Sequence, residues 1–239
     1  MTVGGPAFSG RIALVTGASR GIGRAAALAL AKAGAHVVAV ARTVGGLEEL
    51  DDDIRKDGGT ATLVPLDLTD FAGIDRMGAA LVERWGRLDA LFGNAGILGP
   101  LTPLTHLQPK TWDEIMAVNV TANYRLLRAL DGALRQSDAG RVLMVTSGIV
   151  HHIRAYWGGY AISKAALETL VLTYAAECNG THVKANVFNP GKTRTRMRAE
   201  AMPGEDPLTL PAPEELTPSI LELLSPACVK NGELVNFRR

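Results

Sequence analysis

A tyrosine and a lysine that together could move a proton lie four residues apart, as Tyr160 and Lys164, in the segment Tyr-Ala-Ile-Ser-Lys. On a helix, residues at this spacing are neighbours. A free tyrosine has a pKa of about 10, and a nearby ammonium group favours its phenolate form. The pair therefore predicts a tyrosine that acts as a general acid or base, although an ordinary helix surface would show the same spacing.

A glycine-rich turn lies far upstream, where Gly17, Gly21 and Gly23 follow an apolar run and open a helical pattern. Glycine lets the backbone turn tightly and approach a pyrophosphate, whose charge then lies on the helix N-terminus. The spacing differs from the commonest G-x-G-x-x-G fingerprint, because three residues separate the first two glycines. We interpret the turn as a dinucleotide-binding loop; plain turn geometry is the alternative.

Short apolar runs alternate with helical patterns along the chain, and continuous apolar runs are typical of parallel strands covered by helices. The predicted strands are residues 12–16, 36–41, 61–66, 88–92, 142–146, 183–188 and 233–237. The predicted helices are residues 22–33, 47–56, 71–85, 112–134 and 160–178, with a capping box of Thr111 and Glu114 before the fourth. This alternation predicts an α/β Rossmann fold, a doubly wound parallel sheet of about seven strands with helices on both faces.

The length of 239 residues suits a single domain. We interpret residues 1–10 as a loose N-terminal leader and residues 11–239 as that domain. Residues 192–213, rich in Pro, Thr, Arg and Glu, interrupt the alternation and predict a mobile substrate loop with room for one short helix.

The composition, with 47% apolar residues and a net charge of +1, allows a sizeable core and gives no reason to expect a nucleic-acid partner. No apolar run reaches the roughly 18 residues that span a bilayer, and the N-terminus does not resemble a signal peptide. Cys178 and Cys228 are too few for a disulfide framework and lack zinc-like spacing to a histidine. We therefore expect a cytoplasmic protein without a metal site.

Further candidate ligands of a dinucleotide follow the predicted strands. In such sites an acid at the end of the second strand holds a ribose 2′-hydroxyl, whereas an arginine accommodates a 2′-phosphate. Here Ala41 is followed by Arg42, and Arg20 could converge on the same phosphate, which favours NADP(H) over NAD(H). Asp67 with Leu68, and Asn94 with Ala95 and Gly96, end the third and fourth strands, where ligands bind in open sheets. Solvated arginines and simple turns are the alternatives.

As a set, these segments resemble the short-chain dehydrogenase/reductase family in its compact single-domain branch. The matching motifs, from about residue 11 to 195, are Thr16-Gly17-x-x-x-Gly21-x-Gly23, Asp67, Asn94-Ala95-Gly96, Asn119, Ser147, Tyr160-x-x-x-Lys164 and Pro190-Gly191. More closely, the segments at residues 94–99, 157–161 and 189–195 are similar to the bacterial YciK-like oxidoreductases.

The resemblance implies roles for individual residues. The implied catalytic residues are Asn119, Ser147, Tyr160 and Lys164. Ser147 would hold the substrate oxygen, and Asn119 would anchor a water that relays protons to Lys164; a turn-capping serine and a core amide are the alternatives. The implied cofactor-binding residues are Gly17, Ser19, Arg20, Gly21, Ile22, Gly23, Arg42, Asp67, Leu68, Asn94, Ala95, Gly96, Tyr160, Lys164, Pro190, Gly191 and Thr193.

These roles imply an NADP(H)-dependent oxidoreductase that interconverts a small-molecule carbonyl and an alcohol by hydride transfer, with a tyrosine as the general acid or base. A non-catalytic NADP(H)-sensing protein on the same fold is the alternative, because a fold does not determine a function. The family commonly forms homodimers or homotetramers, here through the helices at residues 112–134 and 160–178. The latter carries Leu167, Leu170, Val171 and Tyr174, which span more than one apolar stripe.

Two basic segments lead to a hypothesis about the substrate. His151, His152 and Arg154 precede Tyr160, and Arg194, Arg196 and Arg198 follow Gly191. If both segments border the cleft, they would attract an anionic or strongly polar substrate. Side chains that point to solvent, or that pair with Glu200 and Glu205, are the alternative.

Overall fold

The computed structural model describes residues 7–238 and places seven parallel strands in a single sheet. The strands are β1 (Ile12–Thr16), β2 (His36–Ala41), β3 (Thr60–Pro65), β4 (Ala90–Gly93), β5 (Arg141–Val145), β6 (Lys184–Asn189) and β7 (Leu234–Asn236). The helices are α1 (Gly21–Lys32), α2 (Val44–Lys56), α3 (Phe71–Trp85), α4 (Pro109–Met116), α5 (Ala122–Arg135), α6 (Gly158–Glu177), α7 (Arg196–Ala201) and α8 (Thr217–Leu224).

The strand order β3-β2-β1-β4-β5-β6-β7 is that of a doubly wound sheet, as predicted. One core joins a sheet face to α3, α5 and α6 through residues such as Ile74, Leu126 and Leu167. The other joins the opposite face to α1, α2 and α8. Successive strands are added outward on both sides of β1 and β4, so the connections after these two strands diverge. The divergence leaves a crevice at the carboxyl edge of the sheet, where open α/β sheets bind their ligands.

The predicted helix at residues 112–134 is interrupted. It consists of α4, a π-helical turn at Ala117–Thr121, and α5. The predicted capping box is wrong, because α4 begins at Pro109 with Gln108 as its N-cap, which leaves Thr111 inside the helix. Proline suits the first helical position, since its missing N–H would have no partner there.

Residues 7–10 depart from the loose leader that we predicted; residues 1–6 lie outside the described part of the chain. The Phe8 side chain is buried in the core beside α1 and α8, and its backbone N–H donates to the Ala33 carbonyl at 3.0 Å. One large aromatic side chain therefore anchors this segment, which composition alone did not reveal.

The segment at residues 192–213 contains α7 and a short 3₁₀ turn at Pro207–Thr209, and α8 follows it as a helix that we did not predict. Ile220 and Leu223 of α8 are buried against the sheet face that α1 covers. No helix within residues 7–238 is long and apolar enough to cross a membrane. The same residues contain no group of three or more His, Cys, Asp or Glu side chains that could hold a metal ion.

Candidate active site

The loop between β1 and α1 has the backbone shape of a phosphate cradle. Gly17 and Gly21 have positive φ angles of 66° and 56°, which residues with a side chain rarely adopt. A Cβ on Gly23 would overlap the Gly17 carbonyl oxygen and lie 2.5 Å from Asn94 Nδ2. Ser19, Arg20 and Ile22 complete this loop and the start of α1. The loop therefore leaves open backbone beside a helix N-terminus, which fits a pyrophosphate.

Thr16 and Asn94 join the two strands at which the sheet order reverses. The Thr16 hydroxyl accepts from the backbone N–H groups of Asn94 at 3.0 Å and Ala95 at 3.1 Å. Asn94 Nδ2 in turn donates to the Thr16 carbonyl at 3.1 Å. These bonds hold the loop after β4 against the glycine loop, so both border the same crevice.

Arg20 and Arg42, which we predicted to hold a 2′-phosphate, and Asp67 with Leu68 lie in the loops that follow β1, β2 and β3. Arg42 and Asp67 are exposed, with 3.9 Å between Arg42 Nη1 and Asp67 Oδ2. The Thr69 backbone N–H, which donates to Asp67, is the main reason that the pKa of Asp67 is lowered. Arg20 is exposed at the N-terminus of α1, and Leu68 is buried behind Asp67. Arg20 and Arg42 thus lie in the loops that follow β1 and β2, and residue 41 is an alanine rather than an acid.

Successive turns of helix α6 contact successive residues at the end of β5. Lys164 Nζ donates to the Val145 carbonyl at 2.7 Å, and the Thr146 hydroxyl donates to Glu168 Oε1 at 2.6 Å. Ser147 follows, and its hydroxyl accepts from the Ile149 backbone N–H at 3.4 Å. Tyr160, Lys164 and Glu168 are each one helical turn apart, so they form a single face. The structure therefore brings Ser147, Tyr160 and Lys164 together.

Burial shifts both members of the tyrosine and lysine pair toward their neutral forms. It raises the pKa of Tyr160 to about 12, and the Ser147 hydroxyl partly opposes this rise. It lowers the pKa of Lys164 to about 8, and the Glu168 carboxylate partly opposes this fall. Lys164 Nζ lies 5.8 Å from the centroid of the Tyr160 ring. In the protein alone, burial therefore favours the neutral, protonated form of Tyr160.

Asn119 lies in the π-helical turn, fully buried, and its amide is used entirely within the protein. Its Oδ1 accepts from the Ile97 backbone N–H at 2.8 Å, and its Nδ2 donates to the Ile97 carbonyl and Ser163 Oγ at 2.9 Å each. A Cβ on Gly96 would lie 3.2 Å from Asn119 Oδ1 and 3.4 Å from Lys164 Nζ. The Asn119 side chain thus fixes the loop after β4 beside Lys164, which is the structural role of a buried core amide. A proton relay through Asn119 stays a prediction.

The loop after β6 completes the crevice. Gly191 has a φ of 65°, and its N–H donates to Asn189 Oδ1 at 3.1 Å. The Thr193 hydroxyl is buried and donates to the Pro190 carbonyl at 3.0 Å. Thr195 reaches the glycine loop, because its Cγ2 would lie 3.6 Å from a Cβ on Gly21. A cavity between α1 and α7 therefore continues from the cradle.

The two basic segments do not form the cationic pocket of our hypothesis. Arg198 Nη2 donates to Glu205 Oε1 at 2.8 Å, and Arg196 Nε donates to Glu200 Oε1 at 2.8 Å. His151 Nε2 lies 3.1 Å from Glu168 Oε2. His152 and Arg154 are exposed, and Arg194 lines the cavity beside α1. The alternative of paired or solvated side chains is therefore correct for most of these residues.

Apolar side chains surround Tyr160 instead. Tyr160 belongs to a small cluster with Leu98, Ile149 and Ala201, and Trp157, Met197 and Met202 pack against it. The Trp157 and Tyr160 rings meet edge to face, with 6.2 Å between centroids. The cluster draws on the loop after β4, the segment before α6, and α7. A molecule that reaches the Tyr160 hydroxyl must therefore pass apolar groups.

Three residues that organise this site were absent from our predicted set. Thr16, Thr146 and Glu168 hold the strand ends and the catalytic helix through the hydrogen bonds described above. The spacing of Glu168, four residues after Lys164, could have indicated a charge partner on the same helix face. Thr16 belongs to the motif Thr16-Gly17-x-x-x-Gly21-x-Gly23 but had no predicted role of its own. Thr146 ends a predicted strand and carries no such signal.

Comparisons with known proteins agree with this geometry. Residues 11–206 match the family model described as short chain dehydrogenase. The chain is 37% identical to the oxidoreductase YciK of Escherichia coli K12, over 90% of this chain and 86% of that protein. A short chain dehydrogenase structure from Pseudomonas syringae has a TM-score of 0.94 at 41% identity and covers 98% of this chain and 97% of its own.

A short chain dehydrogenase structure from Escherichia coli CFT073, complexed with NADPH, has a TM-score of 0.91 at 35% identity. It covers 97% of this chain and 98% of its own. The open glycine cradle and the buried tyrosine and lysine stand at one edge of the sheet in a fold that these relatives share over nearly their whole length. This protein therefore belongs to the short-chain dehydrogenase family of oxidoreductases, which use a nicotinamide cofactor.

Proposed function

We propose that the protein interconverts a carbonyl and an alcohol with NADP(H), and that Tyr160 transfers the proton. The observation that carries this proposal is the docking of α6 on β5, which sets Tyr160 beside Ser147 and Lys164 in a buried site. A non-catalytic NADP(H) sensor is the second candidate, but it has no need for a buried proton donor next to an ammonium group. Turnover of NADPH with a panel of carbonyls, followed by absorbance, separates the two.

In this proposal, different residues bind the cofactor, orient the substrate and transfer the proton. The glycine loop, Arg20 and Arg42 would hold the phosphates, and the loops after β3, β4 and β6 would hold the rest of the cofactor. When bound, the cofactor supplies the hydride. Ser147 would orient the substrate oxygen, and Tyr160, protonated at neutral pH, would donate its proton to that oxygen. In the reverse direction, the Lys164 ammonium would favour the phenolate and so assist Tyr160 as a base.

Replacing Tyr160 with Phe tests the assignment of the proton donor. The variant keeps the ring that packs on Trp157 but lacks the hydroxyl. Because general acid–base catalysis contributes about 10²–10⁴-fold, we expect turnover of an identified substrate to fall by that order while NADPH binding changes little. Near-normal turnover by a folded variant, measured by NADPH absorbance, would falsify the assignment.

The proposed preference for NADP(H) rests on Arg20 and Arg42 and on the absence of an acid at Ala41. Relatives complexed with NADP and with NADPH support it. The exposed pair of Arg42 and Asp67 is weak, since surface ion pairs contribute at most about 1 kcal/mol, so Arg42 is free to turn to a phosphate.

Replacing Arg42 with Ala should weaken NADP(H) binding by about 10- to 100-fold, the value of one charge-assisted hydrogen bond, and leave NAD(H) binding nearly unchanged. Calorimetric titration of both cofactors measures this. Lys56→Ala, which removes an exposed cation at the opposite end of α2, is the matched control. Equal affinities for the two cofactors in the unmutated protein would contradict the preference.

We propose an uncharged, apolar carbonyl as the preferred substrate class, because apolar side chains pack around Tyr160 and the partly buried Arg198 is paired with Glu205. An ionised carboxylate would lose its hydration among these groups without a partner. We expect the methyl ester of a keto acid to be reduced with a higher kcat/KM than the acid itself. An acid that is preferred, with a rate that falls as salt is raised, would restore the anionic substrate.

We also propose self-association as a homodimer or homotetramer. Leu167, Val171 and Tyr174 are buried within the monomer, so they do not form the second exposed apolar stripe that the sequence suggested. Ile162 and Leu172 of α6 remain exposed, as large apolar side chains that a second subunit could cover. Light scattering at micromolar concentration should give a multiple of 25.3 kDa; a monomer would refute the proposal.

A further inference from the structure

A buried carboxylate lies under the catalytic lysine and is not used by the mechanism above. Glu168 is 7% exposed and follows Lys164 by one helical turn. Its Oε1 accepts the Thr146 hydroxyl at 2.6 Å, and its Oε2 lies 3.1 Å from His151 Nε2. Thr146 and His151 flank Ser147 along the chain. The carboxylate therefore holds the segment that carries Ser147 against the helix that carries Tyr160 and Lys164.

The negative charge of Glu168 stabilises the protonated form of Lys164. Lys164 is 3% exposed, and its one hydrogen bond within the described residues goes to the Val145 carbonyl. A carbonyl carries no charge, so it does not compensate for the hydration that a buried ammonium loses. Burial accordingly lowers the pKa of Lys164 to about 8, close to physiological pH, and Glu168 is the group that opposes the fall. The neighbouring groups that can carry charge are Lys164 from α6 itself and His151 from the loop after β5.

We propose that Glu168 is a positioning residue that keeps Lys164 charged and keeps Ser147 in register with Tyr160, with Thr146 and His151 orienting its carboxylate. The inference rests on the proposed function only for its effect on turnover. Its electrostatic part concerns the protein without substrate or cofactor.

The charges determine the direction in which a substitution of Glu168 shifts the pKa of Lys164. A negative charge near an ammonium favours the protonated lysine, so removing that charge lowers the pKa of Lys164 further. Below this pKa Lys164 is charged, and above it the ammonium is lost. The alkaline limit of activity therefore moves to lower pH when Glu168 is neutral. An effective dielectric constant of about 20 at a separation of one helical turn corresponds to a shift of about 1–2 pH units.

The primary experiment is a pH titration of Lys164 in the cofactor-free protein, labelled with ¹³Cε-lysine and followed by NMR. Lys164→Met identifies the signal. We expect Glu168→Gln to lower the titration midpoint by about 1–2 pH units, and Glu168→Asp, which keeps the charge, to restore most of it. Glu177→Gln makes the same substitution at an exposed glutamate of the same helix and should leave the midpoint unchanged. An unchanged midpoint in folded Glu168→Gln, or equal shifts in the Gln and Asp variants, would overturn the inference.

A second variant covers the case in which Glu168→Gln does not fold. Thr146→Val preserves the shape of the side chain but removes the hydroxyl that holds Oε1, so a smaller shift in the same direction is expected. A titration identical to that of the unmutated protein would count against the positioning role.

The pH profile of kcat/KM with an identified substrate completes the test. The alkaline limb should move to lower pH in Glu168→Gln and stay in place in Glu177→Gln. The two proposals fail separately. An active Tyr160→Phe protein removes the proposed function but leaves the NMR result intact. An unshifted lysine in Glu168→Gln, together with an inactive Tyr160→Phe, removes only the role of Glu168.

Discussion

The site depends on the seating of a charged helix face on the end of a buried strand. Lys164 donates to the Val145 carbonyl, Glu168 accepts from Thr146, and Tyr160 lies beside Ser147. An unpaired ammonium or carboxylate at this depth would be costly. The contacts of Lys164 and Glu168 therefore also fix Tyr160 beside Ser147. A shift of α6 by one turn would break these contacts and separate Tyr160 from Ser147.

The sheet places this unit next to a cofactor site. Its order reverses between β1 and β4, so the loops that follow them part and leave a crevice. Thr16 and Asn94 hold the two loops at a fixed distance, while Asn119 fixes the next stretch of the loop through both backbone groups of Ile97. The π-helical turn is the local adjustment that accommodates Asn119, in keeping with the frequent occurrence of such turns at functional sites. A crevice results, with the open backbone of the glycine loop on one side and the buried Tyr160 and Lys164 on the other.

The side chains that pack around Tyr160 are mainly apolar. Two basic segments suggested an anionic ligand, but Arg198, with 19% of its side chain exposed, is paired with Glu205, and Arg196 lies largely exposed beside Glu200. The side chains that pack against the small cluster around Tyr160 are those of Trp157, Met197 and Met202. Methionine adapts its shape to irregular partners. This apolar surface supports the proposed preference for an uncharged substrate.

The sequence by itself determined the succession of strands and main helices along the chain and the glycine loop, because apolar periodicity and short motifs are local properties. The helix Phe71–Trp85 and the strands Ile12–Thr16 and His36–Ala41 match their predicted bounds for this reason. The catalytic and cofactor-binding roles of the motif residues stay predictions. Only the tertiary structure decided the break at Ala117–Thr121, the anchoring of Phe8, and the neutralisation of Arg198 by Glu205. Each depends on which partner a side chain meets after folding. Thr146 and Glu168 are 22 residues apart in the sequence, and no local pattern indicates that they meet beneath Lys164.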